Sequence, residues 1–249
     1  MSASFKILNE ESTSPILLIA DHARRDIPDQ YNALGIEDPA LLRRHVAWDI
    51  GIEDVTKRMA ERLGATTIFS TFSRLLVDAN RYPDDEGSMP KVSDGVVVPA
   101  NQDISDDDRQ QRLDTYFWPY HNEISRLIKK MQEQHETLYI LSMHSFTPVM
   151  DDVERPWHVG VLWDQDERIP MPLLDILRKN HSIVVGDNEP YSARDPLGYT
   201  MNVHGTDLDI PHVVIEIRQD LIDTHHGAEQ WANLMVNALH QFIKTVEAS

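Results

Sequence analysis

The chain has no cysteine, which excludes disulfides, thiolate metal ligands and a cysteine nucleophile together. No apolar run approaches the roughly 18 residues of a membrane span. The first residues, Met1-Ser2-Ala3-Ser4-Phe5-Lys6, lack the charged-then-apolar pattern of a secretory signal. Basic residues are few: 23 Lys and Arg stand against 41 Asp and Glu, for a formal net charge of −18. That balance argues against nucleic acid or a membrane surface as a partner. It leaves the charge of a small substrate open, because a few arginines in a cleft override the global field locally. A soluble cytoplasmic protein is therefore expected. Any bound metal must be held by His, Asp or Glu, a donor set that suits catalytic zinc.

What is present is ordinary for a globular chain. Hydrophobic residues make up 41% and charged residues 26% of 249 positions, enough for one α/β domain over 1–249 with a sizeable core. Apolar runs that read as buried strands occur at Ile16 to Ala20, Leu138 to Met143 and Val213 to Ile215. Shorter strand candidates are Thr66 to Phe69, Leu75 to Val77, Val96 to Val98, His158 to Trp163 and Val184-Val185. Ile52 to Leu63 reads as an amphipathic helix stopped by Gly64. Ser105 opens a second helix running to about Gln134, which Pro119 should kink or break. Further helices are predicted near Leu173 to Lys179 and from Ala228 to Val246. Residues 82–106 and 188–209 read as irregular, the first as a flap or a passive surface excursion. Alternating strands and helices predict a single domain with a mixed, mostly parallel sheet flanked by helices.

Three of the strand candidates end in chemistry. The first runs into Asp21-His22, the second into His144-Ser145 and the third into Glu216-Ile217-Arg218. Open α/β sheets place their ligand crevice at the carboxyl ends of strands. Taken singly, each histidine is more simply a satisfied core residue; three strands ending in His, His and Glu read as one site. His22 and His144 are the leading metal ligands. Asp49 is either a buried third ligand or a helix cap, and Asp21 competes with it, although neighbours on an extended strand point to opposite faces. Glu216 and Arg218 share a face. They are an ion pair, or a general base beside a residue that holds a carboxylate. Arg74, Asn80 and Arg81 add anion-binding groups at another strand end.

Eight ordered blocks also resemble the N-formylglutamate amidohydrolase family over nearly the whole chain. They include His-Val-Ala-Trp-Asp-Ile-Gly at 45–51 and Ser-Arg-Leu-Leu-Val-Asp-Ala-Asn-Arg at 73–81. His-Ser-Phe-Thr-Pro at 144–148, Asp-Asn-Glu-Pro-Tyr-Ser at 187–192 and Glu-Ile-Arg-Gln-Asp at 216–220 continue the series. That family is similar in turn to the zinc carboxypeptidases, which implies their phosphorylase/hydrolase-like fold. The resemblance implies zinc, or another divalent metal, on His22 and His144, and carboxylate binding by Asn80 and Arg81. It also implies catalysis by Glu216 and a carbonyl-polarising role for Arg74. The expected substrate is a small N-acyl amino acid with a free carboxylate, such as N-formyl-L-glutamate. One departure stands out: Arg25 occupies the position where the carboxypeptidases carry a zinc-binding glutamate, so the third ligand must come from elsewhere, with Asp49 the choice. Hydrolysis of another N-acyl amino acid or small peptide is the alternative activity. From a different class, the chain would be a metal-free carboxylate-binding protein.

Overall fold

The computed structural model describes residues 3–194 and 198–247. Its centre is a seven-stranded sheet. The strands are β1 (Phe5–Leu8), β2 (Ile16–Ala20), β3 (Thr66–Ser70), β4 (Tyr139–Phe146), β5 (Val159–Leu162), β6 (Val185–Asp187) and β7 (His212–Arg218), in the spatial order β1-β3-β2-β4-β7-β5-β6. The pairings β2/β3, β2/β4, β4/β7 and β5/β6 are parallel, whereas β1/β3 and β5/β7 are antiparallel. Every residue of β2, β3 and β4 is buried, as expected where both faces of a parallel sheet are covered. That double burial explains why these segments appear in the sequence as continuous apolar runs. The antiparallel edge strand β1 went unread, since Phe-Lys-Ile-Leu is too short and too mixed to stand out.

Helices lie on both faces of the sheet. α1 (Ile52–Leu63) ends as expected on Gly64, whose backbone is left-handed and whose N–H returns to Ala60 O. Ser105 caps α2 (Asp106–Arg112) by accepting from Asp108 N, and α3 (Trp118–Gln132) follows after a wider, π-type turn over Leu113–Phe117. Pro119 cannot donate a backbone hydrogen bond, and the wide turn just before it is the predicted break. α4 (Pro170–Leu177), α5 (Tyr199–His204) and α6 (His225–Glu247) complete the set. α1, α4 and α6 pack with the sheet around Met59, Leu174 and Leu239 in one core cluster.

The opposite face is covered differently. There α3 packs beside non-helical chain, and Leu75, Leu76 and Val77 are fully buried without forming a strand. The predicted strand at Leu75 to Val77 is thus a buried turn. Its backbone is satisfied by side chains: Asn101 donates to Leu75 O at 2.9 Å and Arg112 to Leu76 O at 3.1 Å. Two small hairpins, Val92–Ser93 with Val96–Val97 and Val149–Met150 with Val153–Glu154, stand outside the main sheet. The 82–106 stretch therefore holds one hairpin and short 3-10 turns, and 188–209 contains α5. No helix among the described residues is long and apolar enough to cross a membrane.

Candidate active site

The parallel strands end level with one another. Ile19 of β2 lies opposite Ser142 of β4, and His144 lies opposite Glu216 of β7. Two more residues along β2 bring Asp21 level with His144, with His22 at the turn beyond. Asp49 arrives from the segment before α1, where its N–H donates to His22 O at 2.9 Å. The cap of α1 is Gly51, not Asp49, so the Asp49 carboxylate is free for the site. Gly51 has φ +80°, and a Cβ there would lie 2.2 Å from Ile222 O. A side chain at residue 51 would therefore push Asp49 out of place.

Both imidazoles turn Nδ1 toward the Asp49 carboxylate. His144 Nδ1 is 2.9 Å and His22 Nδ1 3.7 Å from Asp49 Oδ2. On the far side of each ring stands another acid. His22 Nε2 hydrogen-bonds to Asp78 Oδ1 at 2.7 Å, while His144 Nε2 lies 2.9 Å from Ser142 Oγ and 3.6 Å from Asp21 Oδ2. At 3.6 Å Asp21 acts by its charge more than by a hydrogen bond. Its other oxygen accepts from Tyr120 Oη at 2.8 Å. This is the arrangement by which outer carboxylates orient metal-binding histidines.

Donor atoms of His22, Asp49 and His144 lie within 4.8 Å of one another, all three residues being buried. Asp49 Oδ1 is buried with no hydrogen-bond partner. Two nitrogens and an orphaned carboxylate oxygen around one point fit a divalent cation. Of the two competing acids, Asp49 joins the histidines and Asp21 stands behind one of them. Arg25 is apart from this set, its guanidinium 5.5 Å from the centre of the Trp48 ring.

Charge and burial oppose each other here. Burial works to raise Asp49, but the charge of Arg74 and the bonds to the histidines hold it well below the usual carboxylate range. The same contest, won by His22 and Arg74, depresses Asp78. Burial alone would push His144 down; the acids on either side lift it instead to about 10. Glu216 goes the other way: burial, helped by Asp49, raises its carboxyl to about 7. Glu216 Oε2 is buried with no hydrogen-bond partner.

These residues line a cavity of about 970 Å³, at the upper end for small-molecule sites. Arg74, Asn80, Arg81 and Glu216 all border it. Arg74 donates to His22 Nδ1 and lies 3.4 Å from Asp49 Oδ1 and 3.8 Å from Asp78 Oδ2. Asn80 Oδ1 accepts from Thr200 N at 3.1 Å, fastening the segment to α5. Arg81 is exposed and has no carboxylate within 4.0 Å among the described residues. Arg218 is not at the cavity. It lies one residue pair beyond Glu216, where Asp220 at 2.8 Å and the carbonyl of Arg155 at 3.2 Å capture its guanidinium. Its expected carboxylate-binding role is corrected to that of a surface ion pair.

Some residues escaped the sequence reading. Asp78 sits in the block whose Asn80 and Arg81 carry the expected carboxylate binding, and Tyr120 lies in the helix expected over 105–134 with no sign of a site role. His45 also borders the cavity, with Nδ1 3.8 Å from Asp49 Oδ1. Burial lowers it to about 4, so it is neutral near pH 7. Tyr191 borders the cavity as well, its hydroxyl accepting from Arg155 at 3.0 Å.

The crystal structure of gene product Atu2144 from Agrobacterium tumefaciens superposes with a TM-score of 0.94 at 29% identity, over 99% of this chain and 97% of that one. The N-formylglutamate amidohydrolase from Ralstonia eutropha JMP134 gives a TM-score of 0.72 at 18% identity, covering 100% of both chains, which shows the shared fold. No curated protein matches in sequence. The family model described as N-formylglutamate amidohydrolase matches residues 14–223. This chain therefore belongs to the N-formylglutamate amidohydrolase family, hydrolases of amide bonds.

Proposed function

We propose that the protein is a metal-dependent amidohydrolase that removes the acyl group, formyl in the simplest case, from an N-acyl amino acid with a free carboxylate. The convergence of His22, Asp49 and His144 at one point, within a cavity that also holds Glu216, carries this reading. These three residues would hold the cation, zinc being the expected one. Bound there, it would supply Lewis acidity for an amide carbonyl and for water.

The chain's own groups account for the rest of the chemistry. Glu216, with a carboxyl raised to about 7, is close to half ionised at neutral pH. It is suited to accept a proton from water and deliver it to the departing nitrogen. A nearby cation would draw that value down and favour the ionised, accepting form. Asp78 and Asp21 fix the ring orientations of His22 and His144. Arg81 and the Asn80 amide, which border the cavity, would hold the substrate carboxylate and so set the scissile bond against the centre. Arg74 would face the carbonyl oxygen.

One observation favours a second reading. The Arg74 guanidinium donates to His22 Nδ1 and so competes with a cation for that atom. A protein that never loads metal would be a carboxylate-binding module. Metal analysis of protein purified without chelator separates the two. The hydrolase reading expects about one equivalent of a divalent metal, lost in His144→Ala, together with release of formate from an N-formyl amino acid. A metal content near zero after incubation with zinc would overturn it.

A further inference from the structure

Neighbouring residues of α3 serve two ends of the site. Tyr120 donates to Asp21, which stands behind His144. His121, 3% exposed, reaches instead the segment that carries Asn80 and Arg81. Its Nε2 lies 2.8 Å from Ala79 O, and its Nδ1 lies 3.0 Å from Nε2 of His204 in α5. A carbonyl oxygen can only accept, so His121 Nε2 carries a hydrogen. Burial lowers both imidazoles, His121 to about 3 and His204 to about 4, so each is neutral at pH 7. The bare Nδ1 of His121 therefore accepts from His204 Nε2–H. One tautomer of each ring satisfies this chain, and the direction of both bonds is fixed.

α5 also holds the segment directly. Tyr199 N donates to Asn80 O at 3.2 Å, and Thr200 N to Asn80 Oδ1 at 3.1 Å. With its oxygen engaged, the Asn80 amide has its NH2 left to offer, and Nδ2 has no acceptor among the described residues. Gly198, just before α5, completes the arrangement: a Cβ there would lie 2.3 Å from Asn80 Oδ1 and 2.4 Å from Nδ2. Its φ of −63° and ψ of 153° suit any residue. Room for the Asn80 amide, not backbone strain, is what calls for glycine.

We propose that the His121–His204 pair is a positioning device for substrate recognition, tying α3, α5 and Ala79 together so that α5 presents the Asn80 NH2 to a carboxylate oxygen. The inference rests on the amidohydrolase reading for the identity of that carboxylate, the one of an N-acyl amino acid. A donor beside Arg81 favours a carboxylate, with two acceptor oxygens, over a carboxamide of the same shape, with one. The metal end is held separately: Asp78 N donates to Ser88 O at 2.7 Å, and Asp78 Oδ1 keeps His22. Loss of the pair should therefore act on binding more than on the chemical step.

N-formyl-L-glutamate and its α-carboxamide, N-formyl-L-isoglutamine, differ in the one group that Asn80 and Arg81 would hold. His121→Phe keeps a ring and removes both bonds. In zinc-loaded protein its KM for the glutamate compound should rise about tenfold, with kcat and zinc content little changed. The preference for carboxylate over carboxamide should shrink with it. His121→Gln still has an amide to donate to Ala79 O and should recover most of the loss. Gly198→Ala leaves both histidines in place and should shrink the same preference by displacing the Asn80 amide. No preference in the wild type, an unaltered KM and preference in His121→Phe, or a fall in kcat with KM unmoved overturns the inference. Nitrogen-15 NMR of the wild-type protein tests the pair without any substitution: both rings should be neutral Nε2–H tautomers at pH 7. A hydrogen on His121 Nδ1 would break the chain and overturn it. If nothing is hydrolysed, yet calorimetry shows the carboxylate bound more tightly than the carboxamide and more weakly by His121→Phe, the hydrolase reading fails and the positioning role stands.

Discussion

The two faces of the sheet are built by different rules. On one, α1, α4 and α6 lay apolar stripes against β-strands, and the cluster between them is built of aliphatic, methionine and aromatic side chains. On the other, the cover is partly chain without regular structure. Buried polar side chains, Asn101 and Arg112 among them, replace the hydrogen bonds that helices would have made internally. The candidate site opens at the strand ends beside this second face. The first face supplies stability at low cost in specificity; the second uses polar groups to hold loops where the chemistry needs them. Each kind of substitution should thus leave a different signature.

The largest expected effect is on the chemistry alone. Glu216→Gln keeps the shape of a buried residue and removes its proton-accepting group, so kcat should fall by roughly 10²–10⁴. Metal content and the melting temperature of the loaded protein should hold. Near-normal turnover with the metal retained would return Glu216 to a structural role. Leu239→Ala is the opposite case. Leu239 is fully buried among the helices, and its truncation should cost about 2–5 kcal/mol of stability in denaturant melts. Turnover of the remaining folded enzyme should be unchanged. A drop in kcat would show that the helical face is coupled to the site.

The pH profile gives a third contrast, read on chelator-treated protein. The folded pKa of Glu216, about 7, lies above its ordinary value of 4.5, so between those values the folded state holds a proton that the unfolded chain has released. Stability must fall as pH rises through that window, by about 3 kcal/mol at most, and then level off for this group. The Gln variant should lack that decline, so the difference between the two unfolding curves isolates it. Identical profiles would mean that the Glu216 carboxyl is not buried in solution.

Asn101→Ala tests the polar face. Its amide donates to Leu75 O and Pro90 O and accepts from Arg112. Loss of these bonds should cost about 1–3 kcal/mol and also raise KM, because the turn they hold leads into the Asp78 to Arg81 segment. Destabilisation with KM unmoved would separate that turn from the site. The smallest effect is expected for Arg81→Ala, a KM increase of about tenfold with kcat little changed, from losing one exposed charge contact. If KM does not respond, the carboxylate is held elsewhere.

The same contrast explains what was legible in the sequence. α1 was readable to the residue because period, acids in its first turn and a terminal glycine all agree there. β2, β4 and β7 were readable because full burial writes continuous apolar runs, and with them came His22, His144 and Glu216. Leu75 to Val77 has the same apolar signature, yet it is a turn whose backbone partners, Asn101 and Arg112, lie far along the chain. Periodicity carries no such information. Asp49 could be read only as ligand or cap, since the choice depends on Gly51 taking the cap. Arg218 misled because strand alternation fixes a face but not the reach of a long side chain, and Asp220 lay within that reach.

The wide turn at Leu113–Phe117 has a consequence of its own. Arg112 and Tyr120 are both buried and face the body of the protein, one fastening the Leu76 turn and the other the Asp21 carboxylate. In an unbroken α-helix, residues eight apart point about 80° away from each other. A π-type turn takes in one extra residue, absorbing about 100° of rotation and bringing the two to within about 20°. The helix is thus phased like a gear with one tooth added. Deleting one residue from 113–117 would leave the two seven apart in a regular spiral, again within about 20° of each other, whereas straightening the turn at its full length would swing either Arg112 or Tyr120 off its target. The segment should thus tolerate the loss of one residue far better than the gain of one.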